Sequence, residues 1–328
     1  MLDLIKKSCV VLVAASAVVL VGCSQPAGPH LNPLSEEAQA LLAKKGMRQD
    51  QPIFVRVFKE ESELEVWKAK DDGKFYHFKT YPVCNWSGKL GPKLKVGDKQ
   101  APEGFYRVSA RQMNPASSYH LSFNMGFPNA YDRANERTGK HLMIHGNCKS
   151  MGCYAMTDAL MEEIYILARE SFKGGQESFE VHAYPFRMTS KNLNRHKRNK
   201  WTPFWREIKK GYDHFQKVKQ PPPVKVCERR YLVNVAFVDG EDEVDPAGSC
   251  PTYQRLPTRA IPPPPMMQEA NKKKRQMQQA AVGSADQASA EAAAESATMG
   301  FGSTFRFTPR KPSVAGYAFR LNSTLGGR

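Results

Sequence analysis

The chain has 328 residues, 41% of them hydrophobic and 24% charged, with 48 Lys and Arg against 32 Asp and Glu for a formal net charge of +16. That length and apolar fraction suffice for one large or two small packed cores, and 10% aromatic residues exclude a wholly disordered chain. A polytopic membrane protein is also excluded, because the long apolar run, residues 8–22, falls short of the ~20 residues a helical span needs.

The chain opens with an address. Lys6 and Lys7 precede an apolar stretch, Cys9 to Val21, that ends Leu20-Val21-Gly22-Cys23. A basic start, a short apolar core and small closing residues describe a secretory signal over 1–22. The ending resembles a bacterial lipobox, which implies cleavage before Cys23 and acylation of its thiol and amine. The alternative is an ordinary signal peptide that carries a cysteine. Two or three acyl chains anchor stably, at about 0.8 kcal/mol per buried methylene. By the same resemblance, Ser24 after the cysteine favours the outer membrane. Net positive charge calls for anionic partners. On the periplasmic side these are the membrane and the wall, and nucleic acid drops out.

Loss of Cys9 with the signal and use of Cys23 for lipid leave Cys84, Cys148, Cys153, Cys227 and Cys250. An odd number in an oxidising compartment predicts a free or reactive thiol.

Residues 24–33 are rich in Pro, Gly and Ser and read as a tether. Ser35-Glu36-Glu37 opens a short helix that stops at Gly46, so 23–49 is expected to carry the acylated cysteine, tether and helix. From Pro52 the period changes to two: Ile53, Val55 and Val57 alternate, as do Leu64 and Val66, and Asp71-Asp72-Gly73 turns the chain into Lys74–Val83. Phe105–Val108, Leu142–Ile144 and Phe179–Phe186 read as further strands. Thr157 caps a helix through about Glu170 with Leu160, Ile164, Leu167 and Ala168 on one side, and Pro203–Phe215 forms a last helix. The expected body, 50–215, is mainly β (α+β) with a few flanking helices.

Pro221–Pro223 breaks the pattern. Cys227 and Cys250 flank a strand, Tyr231–Val238, and an acidic turn, which predicts a small annex over 216–260 closed by a Cys227–Cys250 disulfide worth about 3 kcal/mol. Residues 261–328 are of low complexity and read as a basic tail without fixed structure. Its last stretch sets Arg306, Arg310, Lys311, Arg320 and Arg328 among Phe305, Phe307, Tyr317 and Phe319. Such alternation suits an anionic surface or a solvated tail.

The densest chemistry runs from His141 to Asp158. An apolar strand ends at His145-Gly146, and Gly152-Cys153 stands just ahead of the capped helix. An imidazole within reach turns a thiol into a nucleophile, a helix N-terminus favours the anion, and Gly152 lets backbone N–H groups approach a developing oxyanion. Two other readings compete. His141, His145, Cys148 and Cys153 are all zinc-ligand types, but within one strand the two histidines would stand about 13 Å apart, too far to share a metal. The other is a structural Cys148–Cys153 disulfide beside a surface histidine. No metal or other cofactor is expected.

His145-Gly146 followed by Ser150-Met151-Gly152-Cys153, with the upstream Ala101-Pro102-Glu103-Gly104-Phe105-Tyr106, resembles the L,D-transpeptidase (YkuD) catalytic domain and most of all its divergent YafK-like branch. The resemblance covers about 50–215 and implies a β-sandwich-like fold. It implies attack on a peptidoglycan stem peptide at the L-centre of its diamino acid, release of D-alanine through a thioester, and resolution by an amine or by water. Carried over by position, Cys153 is the nucleophile and His145 its base. Ser150, Gly152 and Gly146 match the motif, and N–H groups near Gly152 and Cys153 form the oxyanion hole. Met151 and Ala155 stand where the usual motif has a second His and an Arg. Arg133 is the expected substitute cation, with Tyr131 and Asn129 lining the same groove. With Cys153 as nucleophile, a Cys84–Cys148 bond is the preferred pairing, because it leaves Cys153 the single unpaired thiol. A Cys148–Cys153 bond would switch the site off. The implied function is a lipid-anchored cysteine acyltransferase that cross-links the wall or attaches a protein to it. The alternatives are a hydrolase that frees a wall-linked outer-membrane lipoprotein, and a non-catalytic wall-binding tether.

Overall fold

The computed structural model describes residues 28–238 and 244–260, with isolated helical residues between 272 and 287. The expected signal segment, Cys23, the acidic turn and most of the expected tail lie outside the described residues. Residues to Pro263 cluster as one compact unit and Pro264–Arg328 as a second.

In chain order the elements of the first unit are α1 (Glu36–Lys44), β1 (Ile53–Phe58), β2 (Glu63–Ala69), β3 (Phe75–Pro82), β4 (Asn85–Trp86), β5 (Gly104–Ser109), β6 (Met113–Ser117) and β7 (His120–Asn124). There follow α2 (Ala130–Ala134), β8 (Met143–His145), β9 (Tyr154–Ala155), α3 (Asp158–Lys173), β10 (Ser178–Tyr184), α4 (Ser190–Arg195), α5 (Thr202–Val218), β11 (Val224–Cys227), β12 (Arg230–Val233), β13 (Val235–Phe237) and β14 (Tyr253–Arg255). Two five-stranded sheets carry the fold, ordered β3-β2-β1-β10-β5 and β4-β9-β8-β7-β6. Two strand pairs are parallel, β1 with β10 and β8 with β9. The fold is mixed, strand-dominated and β-sandwich-like.

Every position of β1 is buried, because both of its faces are covered. Val55 and Val57 join Leu121, Phe123 and Ile144 of the second sheet and Ile164 and Leu167 of α3 in one core. Phe58, with Tyr184, meets Phe204, Trp205, Ile208 and Tyr212 of α5 on the other face. Each such side chain contributes about 1.5–3 kcal/mol when taken from water. The Thr157 hydroxyl accepts from Leu160 N–H and starts α3 where the sequence places it.

The expected annex strand Tyr231–Val238 is broken in two. Asn234, at φ +59°, turns the chain, so β12 pairs with β11 and β13 with β14. Cys227 and Cys250 are joined, and Tyr231 stacks on Tyr131 at 4.1 Å between ring centroids, which fixes the annex to α2.

Candidate active site

The connection from β8 to β9 places the two reactive side chains. Parallel neighbours ordinarily need a crossover of a dozen or more residues. Here residues 146–153 suffice because β9 has only two residues, and Asn147 and Cys148 take left-handed conformations (φ +70° and +51°). The register sets Ile144 beside Tyr154 and His145 beside Ala155. One step back brings Met143 beside Cys153, and Met143 N–H donates to the Cys153 Sγ at 3.4 Å. Residues two apart share a face, so Cys153 and His145 look to the same side while Ile144 and Tyr154 are buried on the other. Their Cα atoms lie roughly 8 Å apart on the diagonal, from ~3.3 Å per residue and ~4.8 Å between strands.

His145 is 3% exposed. Its Nδ1–H donates to the Gly146 carbonyl at 2.6 Å, which fixes the tautomer and leaves Nε2 as the basic nitrogen with no partner among the described residues. Burial holds its pKa below the ordinary imidazole value, so the ring is neutral at pH 7. Tyr119, absent from the sequence reading, lies against the ring at 4.8 Å. Cys153 is the free cysteine among the described residues, and it is half-buried. Burial raises its pKa above the ordinary thiol value, while the Met143 N–H and the Lys93 charge favour the anion. The thiol itself donates to the His141 carbonyl at 3.7 Å. Thiol and imidazole are therefore both neutral at rest.

The loop between them is held at several points. Cys148 is bonded to Cys84. The Asn147 N–H donates to Asp158 at 2.7 Å. Gly146 leaves room for that carboxylate, since a Cβ there would lie 2.5 Å from Asp158 Oδ1. Gly152 is at φ +108°, which excludes other residues by conformation. The Ser150 hydroxyl donates to the Cys153 carbonyl and accepts from the Cys153 N–H. Ser87 accepts from Gly152 N–H at 2.6 Å and donates to the Lys99 carbonyl. The Gly152 and Cys153 N–H groups, expected to form the oxyanion hole, donate to the Ser87 and Ser150 hydroxyls respectively.

The substitute cation is also placed differently. Arg133 is exposed, donates to the Pro128 carbonyl at 2.6 Å, and opens onto a cavity of about 790 Å³ walled by Phe105, Arg107, Pro223 and Tyr231, with no residue of the Cys153 loop in its wall. Tyr131 is buried and lies outside that cavity wall, whereas Asn129 lines the same cavity as Arg133 while capping α2 and donating to Phe105 O and the Tyr231 hydroxyl. The cation that acts on Cys153 is Lys93, buried and paired with Asp98 at 2.6 Å. Its loop is pinned by a second buried pair. Lys59 and Glu103 lie 3.0 Å apart, Lys59 also donates to the Gly91 and Ala101 carbonyls, and Glu103 accepts from Gly91 N–H and the Trp205 indole.

The zinc reading finds a different geometry from the one it assumed. His141 lies before β8 at φ +57°, Cys148 is in a disulfide, and no group of three or more metal-ligand side chains exists among the described residues.

The site sets a free thiol just before β9 beside an imidazole at the end of β8, two strands that pair in parallel. The family profile of the YkuD L,D-transpeptidase catalytic domain matches residues 53–174. The YafK proteins of Escherichia coli K12 and O157:H7, candidate L,D-transpeptidases by name, are each 41% identical over 223 residues, covering 66% of this chain and 88% of theirs. The Campylobacter jejuni helical cell shape determining protein Pgp2 aligns over 57% of this chain and 79% of its own at 17% identity and a TM-score of 0.33, too distant to carry weight. The chain belongs to the YkuD L,D-transpeptidase family, and its function is peptidoglycan-related.

Proposed function

We propose that this chain is an envelope-anchored cysteine acyltransferase acting on peptidoglycan stem peptides, with Cys153 as nucleophile and His145 as base. The carrying observation is the pair itself: a free thiol just before β9 and an imidazole at the end of β8, on strands that pair, with Nδ1 tied to the Gly146 carbonyl and Nε2 without a partner among the described residues. In the first step Nε2 accepts the thiol proton as Sγ attacks the stem carbonyl, and the substrate oxygen displaces the Ser87 hydroxyl from the Gly152 N–H. The imidazolium then protonates the departing D-alanine amine, leaving a thioester. The lipobox-like ending at Cys23 supports anchoring on the periplasmic side of the outer membrane.

A second reading, hydrolysis, shares this acyl-enzyme and takes water as acceptor. Met151 and Ala155, in place of the usual His and Arg, favour keeping it beside the first. Mass spectrometry of wall fragments incubated with residues 24–328 separates the two, with Cys153→Ala as control. New dimers with loss of D-alanine establish transfer. Release of a wall-linked lipoprotein without dimers establishes hydrolysis. No Cys153-dependent product with either substrate removes the proposal in favour of a wall-binding tether.

A further inference from the structure

We infer that four lysines around the nucleophile form a recognition surface for a peptide carrying several carboxylates. The inference deepens the proposed function and rests on it for the identity of that peptide. Lys95, Lys99, Lys140 and Lys149 are all exposed, and none has an ion-pair partner among the described residues. Contacts in the structure draw them to one place. Lys99 lends its carbonyl to Ser87, whose hydroxyl binds the Gly152 N–H and touches Ser150, the residue after Lys149. Thr138 N–H donates to the Leu94 carbonyl and Val96 N–H to the Thr138 hydroxyl, which bring the Lys95 loop against the segment leading to Lys140. His141, next in the chain, accepts from the Cys153 thiol through its carbonyl.

Negative charge near the same place is held by partners, Asp158 by the Asn147 N–H on the far side of the loop. Residues 138–157 contain no Asp or Glu, and the one acid of the 89–100 loop, Asp98, is held by Lys93. Among the lysines stand large apolar side chains open to solvent, Met151 at 77% and Val96 at 69% exposure, together with Leu94 and Tyr119. A cationic collar with apolar contacts suits a peptide whose carboxylates alternate with short aliphatic stretches. Charge complementarity of this kind steers the ligand and sets its register. The cation already spent, Lys93, acts on the thiol, so the four free ones are left for substrate.

The test uses the full chain in detergent with Cys153→Ala, so that binding is read without turnover. The probes are the peptidoglycan tetrapeptide and the same peptide with its carboxylates amidated. The quadruple variant K95A/K99A/K140A/K149A should bind the tetrapeptide about fifteenfold more weakly, each exposed contact being worth about a factor of two. Amidation should weaken binding to the parent by a similar factor and leave the quadruple variant unaffected. The Cys84–Cys148 bond and the far-UV spectrum of the variant are checked first. Equal affinity of parent and variant for the tetrapeptide overturns the inference, as does lysine-dependent binding to phosphatidylglycerol vesicles without peptide binding. If the lysines bind the tetrapeptide but the unmutated chain makes no Cys153-dependent product, the surface stands and the acyltransferase reading fails.

Discussion

Replacing Glu103 by Gln tests whether the buried pair beneath the site holds the loop that carries Lys93. Lys59 and Glu103 are both fully buried, and the ammonium is satisfied by one carboxylate oxygen and two carbonyls. Burial lowers the Lys59 pKa, and the Glu103 charge and hydrogen bond oppose that shift. The substitution keeps the shape and removes the counter-charge, so a cation is left without compensation. Breaking such a pair costs about 3–5 kcal/mol. For a domain of this size that lowers Tm by about 6–20 °C. The deficit should shrink as pH rises toward 10.5, because the variant's folded Lys59 gives up a proton that the unfolded chain keeps. Calorimetry across pH 7 to 10 reads both effects. A variant melting within about 1 °C of the parent, or one whose deficit grows with pH, would refute the reasoning.

Two further outcomes follow from the site. Burial raises Cys153 and lowers His145, so ultraviolet thiolate absorbance should be absent at pH 7 and appear only above the ordinary thiol range; a thiolate signal at pH 6 would contradict the neutral resting pair. The Cys84–Cys148 bond closes a 64-residue separation, worth about 4 kcal/mol on the loop-entropy account, and it clamps the loop between His145 and Cys153. The C84S/C148S variant should therefore lose that stability by denaturant melts, with alkylation of Cys153 accelerated; unchanged alkylation would free the loop from that role.

Much of this architecture is readable from residue order because local pattern and tertiary role agree. The alternation of Ile53, Val55 and Val57 is that of a strand, and Thr157 with Ile164 and Leu167 is that of a capped, one-sided helix. The β6–β7 hairpin escapes such reading. Asn114 and Pro115 interrupt its apolar pattern, and its register shifts between Asn114 and Ser117. Strands β4 and β9 have two residues each, too few for any period. At the site, Cys153, His145, Ser150 and Gly152 lie in one short motif and can be found together. Ser87 and Lys93, on the β4–β5 connection, and Tyr119, on the β6–β7 turn, reach it from elsewhere in the chain and carry no signal of their own. Arg133 shows the converse: a plausible residue type near a suitable sequence, carried by α2 to a different cavity.

The most direct measurement is the intact mass of the chain mixed with peptidoglycan tetrapeptide and quenched in acid. The account predicts an adduct equal to the tetrapeptide less D-alanine, mapped to Cys153, abolished by Cys153→Ala and strongly reduced by His145→Ala. A full-length product pattern that forms without such an adduct, or an adduct on any other residue, would contradict it.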